Sequence, residues 1–128
     1  MKHIAITENH LYSKAYAKGG KFVTKSVIVY ALKDLKAKRL MLAHPQKQYV
    51  NRIGLTVSKK IGKATVRSRV KRVLREGLRQ TEKEFQTKKG YLLVLVARPA
   101  TAEMKSTQVA KDLEKALIAL KIIDNENN

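Results

Sequence analysis

Apolar positions along the chain follow two rhythms, and the switches between them mark its elements. Between residues 8 and 18, Leu11, Ala15 and Tyr16 recur at helical spacing with Tyr12 beside them, which predicts a short helix ended by Gly19-Gly20, where at least one residue can adopt positive φ. Phe22-Val23-Thr24 and Val27 to Leu32 are β-branched and aromatic and predict two strands. From Arg52 to Ser58 the pattern alternates, placing Ile53, Leu55 and Val57 on one face and Gly54, Thr56 and Ser58 on the other, as in a half-buried strand. A helix follows from about Val66 to Phe85, with Gly90 as its stop. The run Tyr91 to Ala97, bounded by Gly90 and Pro99, is apolar enough to be a central strand. A last helix, capped by Ser106 or Thr107, carries a core stripe of Val109, Ala110, Leu113, Ala116, Leu117 and Leu120. Lys33 to Val50 lacks clean periodicity and reads as an irregular connection with a short strand or turn at Leu40 to Ala43. The order α-β-β-β-α-β-α implies an α+β fold, a two-layer sandwich with a small sheet of about four strands and helices packed on it. The single domain is expected over residues 1–123, with a polar, disordered tail at 124–128.

Charge changes the picture. The chain has 128 residues and 44% hydrophobic content, enough for one domain with a core, yet 28 Lys and Arg stand against 10 Asp and Glu, for a net +18. Such an excess calls for a polyanionic partner. No apolar stretch approaches the roughly 18 residues a spanning helix needs, and the first eight residues resemble neither a signal peptide nor an anchor. The absence of cysteine fits a cytoplasmic protein and removes thiolate chemistry. His3, His10 and His44 have no metal-ligand spacing, and the acids form no recognisable catalytic set. Neither a catalytic residue nor a protein-bound cofactor or metal is expected.

The cations are concentrated in one element. At about 100° per residue, Arg67, Lys71, Arg75, Arg79 and Arg72 fall within an arc of roughly 140°, opposite Val66, Val70, Val73, Leu74 and Gly77. With Thr65 as N-cap, Arg67 and Arg69 lie where the helix dipole disfavours positive charge, and Lys59 and Lys60 add to the same end. A local rule broken without structural gain marks a functional surface. Guanidinium groups at this spacing, with backbone N–H groups at a helix start, suit a nucleic-acid backbone.

Gly54-Leu55-Thr56-Val57-Ser58-Lys59-Lys60-Ile61-Gly62 followed by Arg67-Ser68-Arg69-Val70-Lys71-Arg72 resembles the signature of the protein subunit of bacterial ribonuclease P. The resemblance extends to Tyr12, Tyr16, Gly19 and Tyr30 upstream and Ala97-Arg98-Pro99 downstream. Ser68 stands where that family usually has Asn, and a hydroxyl lacks the amide's paired donor and acceptor. The resemblance implies a four-stranded sheet with a left-handed crossover around the basic helix. It implies two partners, ribonuclease P RNA and precursor tRNA, with no membrane and no obligate protein partner. Hydrolysis would belong to the RNA subunit with its magnesium, and the protein would promote removal of the 5′ leader. Lys59, Lys60, Arg67, Ser68, Arg69, Lys71, Arg72 and Arg75 would then hold the catalytic RNA.

Tyr12 and Tyr16 share a helical face and Tyr30 lies on an early strand. Tyrosines so spaced commonly pack in a core with their hydroxyls at its edge. In a chain with no Trp and two Phe, their neighbourhood of Lys14, Lys18, Lys21 and Lys25 instead supplies what unpaired bases and their phosphates need. By resemblance, the three rings line a groove for the single-stranded leader. Three rival readings remain at this level: a basic structural RNA-binding protein of the ribosomal type, a self-sufficient nuclease, and a peripheral membrane binder.

Overall fold

The computed structural model describes residues 2–36, 42, 49–85 and 87–123. Strand β1 (Lys2–Ala5) precedes helix α1 (Asn9–Lys18), followed by β2 (Gly20–Val23), β3 (Val27–Lys33) and β4 (Tyr49–Thr56). A 3-10 turn (Lys59–Ile61) leads into α2 (Ala64–Glu84), then β5 (Tyr91–Ala97), a second 3-10 turn (Pro99–Glu103) and α3 (Ser106–Ala119). The expected succession α-β-β-β-α-β-α is present, with β1 added ahead of it. The sheet order is β1-β4-β5-β3-β2, and the added strand is an edge. Its four residues were too short a run to reveal periodicity.

β5 is central because it must be: Leu92, Leu93, Val94 and Leu95 are all buried, so both of its faces are covered. It pairs in parallel with β4 and antiparallel with β3, and α2 makes the crossover between the two parallel strands. Leu93 and Leu95 face α2 and α3, in a core with Val27, Val29, Val70, Leu74, Val109, Leu113 and Leu117. Leu92 and Val94 face the other way and meet Ile6, Leu11 and Ala15, which seats α1 on the opposite face of the sheet. Of the α3 stripe read from the sequence, Val109, Leu113, Ala116 and Leu117 are buried core and Leu120 packs against it half-buried.

Several expected boundaries move. Lys63, not Thr65, is the N-cap of α2, and Arg67 is its fourth residue, so the dipole acts mainly on Lys63 and the lysines ahead of it. No acid occupies the first turn to compensate. Lys105, not Ser106 or Thr107, caps α3: its backbone N–H donates to Gln108 Oε1 at 2.9 Å, while Ser106 Oγ accepts from Gln80 Nε2 of α2 at 3.1 Å. Positive φ occurs at Gly62 and Gly90 and not at Gly19 or Gly20. At Gly19 the constraint is contact, since a Cβ there would lie 2.5 Å from Ala15 O. Gly90 opens β5, whereas α2 already ends at Glu84. The expected strand or turn at Leu40 to Ala43 and the tail at 124–128 lie outside the described residues, Leu42 aside.

A buried ion pair ties α1 to the sheet. Arg52 Nε and Nη2 donate to Asp34 Oδ2 and Oδ1 at 2.6 and 2.8 Å, and Arg52 Nη1 lies 3.7 Å from Glu8 Oε1 just ahead of α1. Burial alone would raise the Asp34 pKa, but the Arg52 hydrogen bonds, the Lys36 backbone N–H and both positive charges outweigh it and hold the carboxyl below its ordinary range.

Candidate nucleic-acid interface

The sheet face that carries α1 is only partly covered. Pairing aligns two rows across it, Lys21-Tyr30-Val94-Gly54 and Val23-Ile28-Val96-Thr56. α1 seals the first row at Val94, while Val23 at the far end of the second remains 47% exposed. Tyr16 projects over this opening, 41% exposed. Its ring meets the Tyr30 ring edge-to-face at 4.9 Å between centroids, and its hydroxyl is 3.0 Å from Thr56 Oγ1. Lys21 Nζ stands 5.9 Å from the Tyr30 centroid.

Tyr12 belongs to the same cluster but is held differently. Its ring lies 6.5 Å from that of Tyr16 and fills the space above Gly54, where a Cβ would come within 2.6 Å of its Cε1 and hydroxyl oxygen. Its hydroxyl reaches Ile6 O at 3.5 Å, and burial, with Tyr16 adding to it, pushes its pKa up. Tyr12 and Tyr30 are both half-buried against the second core, leaving Tyr16 as the exposed ring of the three. Thr56 was missed as a site residue, whereas Lys21 is one of the four lysines read beside the tyrosines. The alternation that put Gly54, Thr56 and Ser58 on one polar face was the available signal.

The cations lie on the far side of β4. Lys59 and Lys60 are exposed in the 3-10 turn, and Gly62, with φ 151° and ψ −163°, redirects the chain into α2 through a conformation open to glycine alone. Along α2 the basic side chains separate into two flanks. Lys71, Arg75 and Arg79 border a cavity with Tyr12, Ile53 and Leu55 at the β4 edge. Arg69 and Arg72 border another recess with Met104 and Lys105 at the start of α3. Arg69 is already engaged, donating from Nη1 to Ala102 O at 2.5 Å and tethering the second 3-10 turn. Arg79 forks onto the Glu76 carboxylate, which that hydrogen bonding holds below its usual pKa. Ser68 is exposed, and Arg67 Nε is buried without a partner among the described residues.

Among the described residues no three His, Cys, Asp or Glu side chains converge on a point where an ion could bind. No described helix is long and apolar enough to cross a membrane.

A family model described as Ribonuclease P matches residues 1–121. The ribonuclease P protein component of Clostridium botulinum is 33% identical over 120 residues, covering 94% of this chain and 93% of that protein. That of Listeria innocua is 30% identical over 127 residues, covering 99% and 96%. The solved Staphylococcus aureus RNase P protein superposes with a TM-score of 0.70 at 24% identity, covering 96% of this chain and all of that one, and shares its fold. The chain therefore belongs to the ribonuclease P protein family, whose members are the protein components of a ribonucleoprotein endoribonuclease.

Proposed function

We propose that this chain works with ribonuclease P RNA in removing the 5′ leader of precursor tRNA, docking on the catalytic RNA through α2 and guiding the unpaired leader over the Tyr16–Tyr30 face. The observation that carries the reading is the uncovered sheet face: exposed Tyr16 fixed between Tyr30 and Thr56, with Lys21 beside them. A basic structural RNA-binding protein shares the cations but does not need an open aromatic face. Tyr12 supports that face from beneath.

The chemistry assigned to the protein is binding and orientation. Lys59, Lys60, Arg67, Lys71, Arg72 and Arg75 neutralise phosphates of the catalytic RNA, and exposed Ser68 offers a single hydroxyl among them. Arg69 supports this face through Ala102. Magnesium belongs to the RNA-containing assembly, and the protein acts in the cytoplasm, where both RNAs reside.

The test is reconstitution. Added to a bacterial ribonuclease P RNA at low magnesium and near-physiological salt, the protein should restore cleavage of precursor tRNA and bind leader-bearing substrate more tightly than mature tRNA. Protein without RNA should cleave nothing. Metal-dependent cleavage by RNA-free protein, abolished by changing one carboxylate or histidine, defeats the proposal, as does failure to stimulate the RNA.

A further inference from the structure

β1 pairs with β4 only as far as Ala5 opposite Ile53, with Ile6 N donating to Ile53 O at 2.9 Å just beyond. From Gly54 onward that edge of β4 has no strand beside it among the described residues. A cavity of about 460 Å³ opens there, between the strand edge and α2. Its apolar surfaces are Ile53, Leu55, Leu78 and the ring of Tyr12. Lys71, Arg75 and Arg79 rise at i, i+4 and i+8 along its helical wall, which ends in Glu82. Arg79 is already forked onto Glu76, so Lys71 and Arg75 carry the positive end, and the Glu82 carboxylate disfavours an anion at the other.

The cavity therefore combines two cations at one end of its helical wall with apolar and aromatic lining, and carries Glu82 at the other end of that wall. Its volume lies in the range of small-molecule sites, about 300 to 1,000 Å³. We propose that it seats one unstacked nucleotide of the catalytic RNA, its phosphate on Lys71 and Arg75 and its base between Tyr12 and Leu78. Assignment to the catalytic RNA follows from the helical wall, because its cations continue the α2 face on which that RNA docks, and the inference rests on that reading. A pinned nucleotide would couple the two RNA surfaces, since Tyr12 lines this cavity and is also the ring neighbour of Tyr16.

The absence of cysteine permits a direct test. Ala5 lines the cavity yet is exposed, so Ala5→Cys puts a thiol at its mouth with little effect on folding, and Ala119→Cys, exposed at the end of α3, serves as control. Bacterial ribonuclease P RNA should slow alkylation of the Ala5→Cys variant by N-phenylmaleimide and leave that of the Ala119→Cys variant unaffected. Alkylation of folded Ala5→Cys protein beforehand should weaken RNA binding about fivefold or more, the scale of one lost base stack. Equal alkylation with and without RNA, or full affinity after the cavity is blocked, overturns the proposal. Protection that appears only with leader-bearing precursor tRNA assigns the cavity to the substrate and overturns it too. If the control protein does not bind the RNA, the parent reading falls first.

Discussion

Replacing Gly54 with Ala tests how the aromatic face is built. The added Cβ would lie 2.6 to 2.7 Å from Cε1, Cζ and the hydroxyl oxygen of Tyr12, so the ring must move. Overpacking of this kind costs about 1 to 3 kcal/mol, and relief of glycine's backbone entropy returns roughly 0.5 to 1 kcal/mol. The net destabilisation of Gly54→Ala is then about 0 to 2.5 kcal/mol, up to several degrees in Tm for a domain of this size. In a Tyr12→Ala background the clash vanishes and only the backbone gain remains, so the same substitution should stabilise by up to about 1 kcal/mol. Urea denaturation of wild type, the two single variants and the double variant measures the coupling. A Gly54→Ala cost that is unchanged when Tyr12 is absent would refute the reasoning. In reconstituted enzyme, displacement of Tyr12 should also disturb Tyr16, its ring neighbour, and lower the affinity ratio of leader-bearing to leaderless tRNA.

Breaking the buried pair by Asp34→Asn should cost up to about 3 kcal/mol, because buried Arg52 loses its forked partner and keeps only the Glu8 carboxylate at 3.7 Å. Asp34 has a lowered folded pKa, so its contribution is complete above the ordinary carboxylate range and lost as the pH falls through its folded value; urea unfolding between pH 7 and 3 should show an acid slope in wild type that shrinks in the variant. Arg75→Ala should leave Tm unchanged and reduce the salt slope of RNA binding by about one, whereas Arg69→Ala should lower stability by about 1 kcal/mol through loss of the Ala102 tether; equal stabilities reject that division. Thr56→Val removes the Tyr16 hydroxyl's partner while keeping the side-chain shape, and should lower leader-dependent affinity several-fold with little change in Tm, with Thr56→Ser restoring it. A leader-dependent ratio unaffected by Thr56→Val means that Tyr16 needs no such positioning.

The sequence was most legible where burial imposes a period. The Leu92 to Leu95 run announced a strand covered on both faces, and the Val109, Leu113 and Leu117 stripe announced a core helix, because in each case packing enforces the pattern that was read. It was less legible at helix starts. Thr65 and Ser106 had the chemistry of caps, but a cap position is set by where the chain can turn, and Gly62 and the Gln108 side chain decided that instead. β1 was too short to show a period, and the Arg52–Asp34 pair joins strands that are not neighbours in the sheet, with β5 lying between them.

The candidate site divides along the same line. Net charge and helical spacing located the cations, since both are properties of the sequence itself. They did not distinguish Arg69, spent on Ala102, from Arg75, which faces the cavity, because that depends on where the second 3-10 turn and the β4 edge fall. The tyrosines show the same dependence. Helical spacing put Tyr12 and Tyr16 together, yet the glycine at position 54 lets Tyr12 sink toward the sheet and become support, while Thr56 two residues on keeps Tyr16 upright at the opening. One strand, β4, thereby sets the depth of both rings and, through Ile53 and Leu55, lines the cavity on its other side. A change in the Gly54-Leu55-Thr56 segment should therefore affect leader binding and catalytic-RNA binding together, although the two surfaces lie on opposite sides of the sheet.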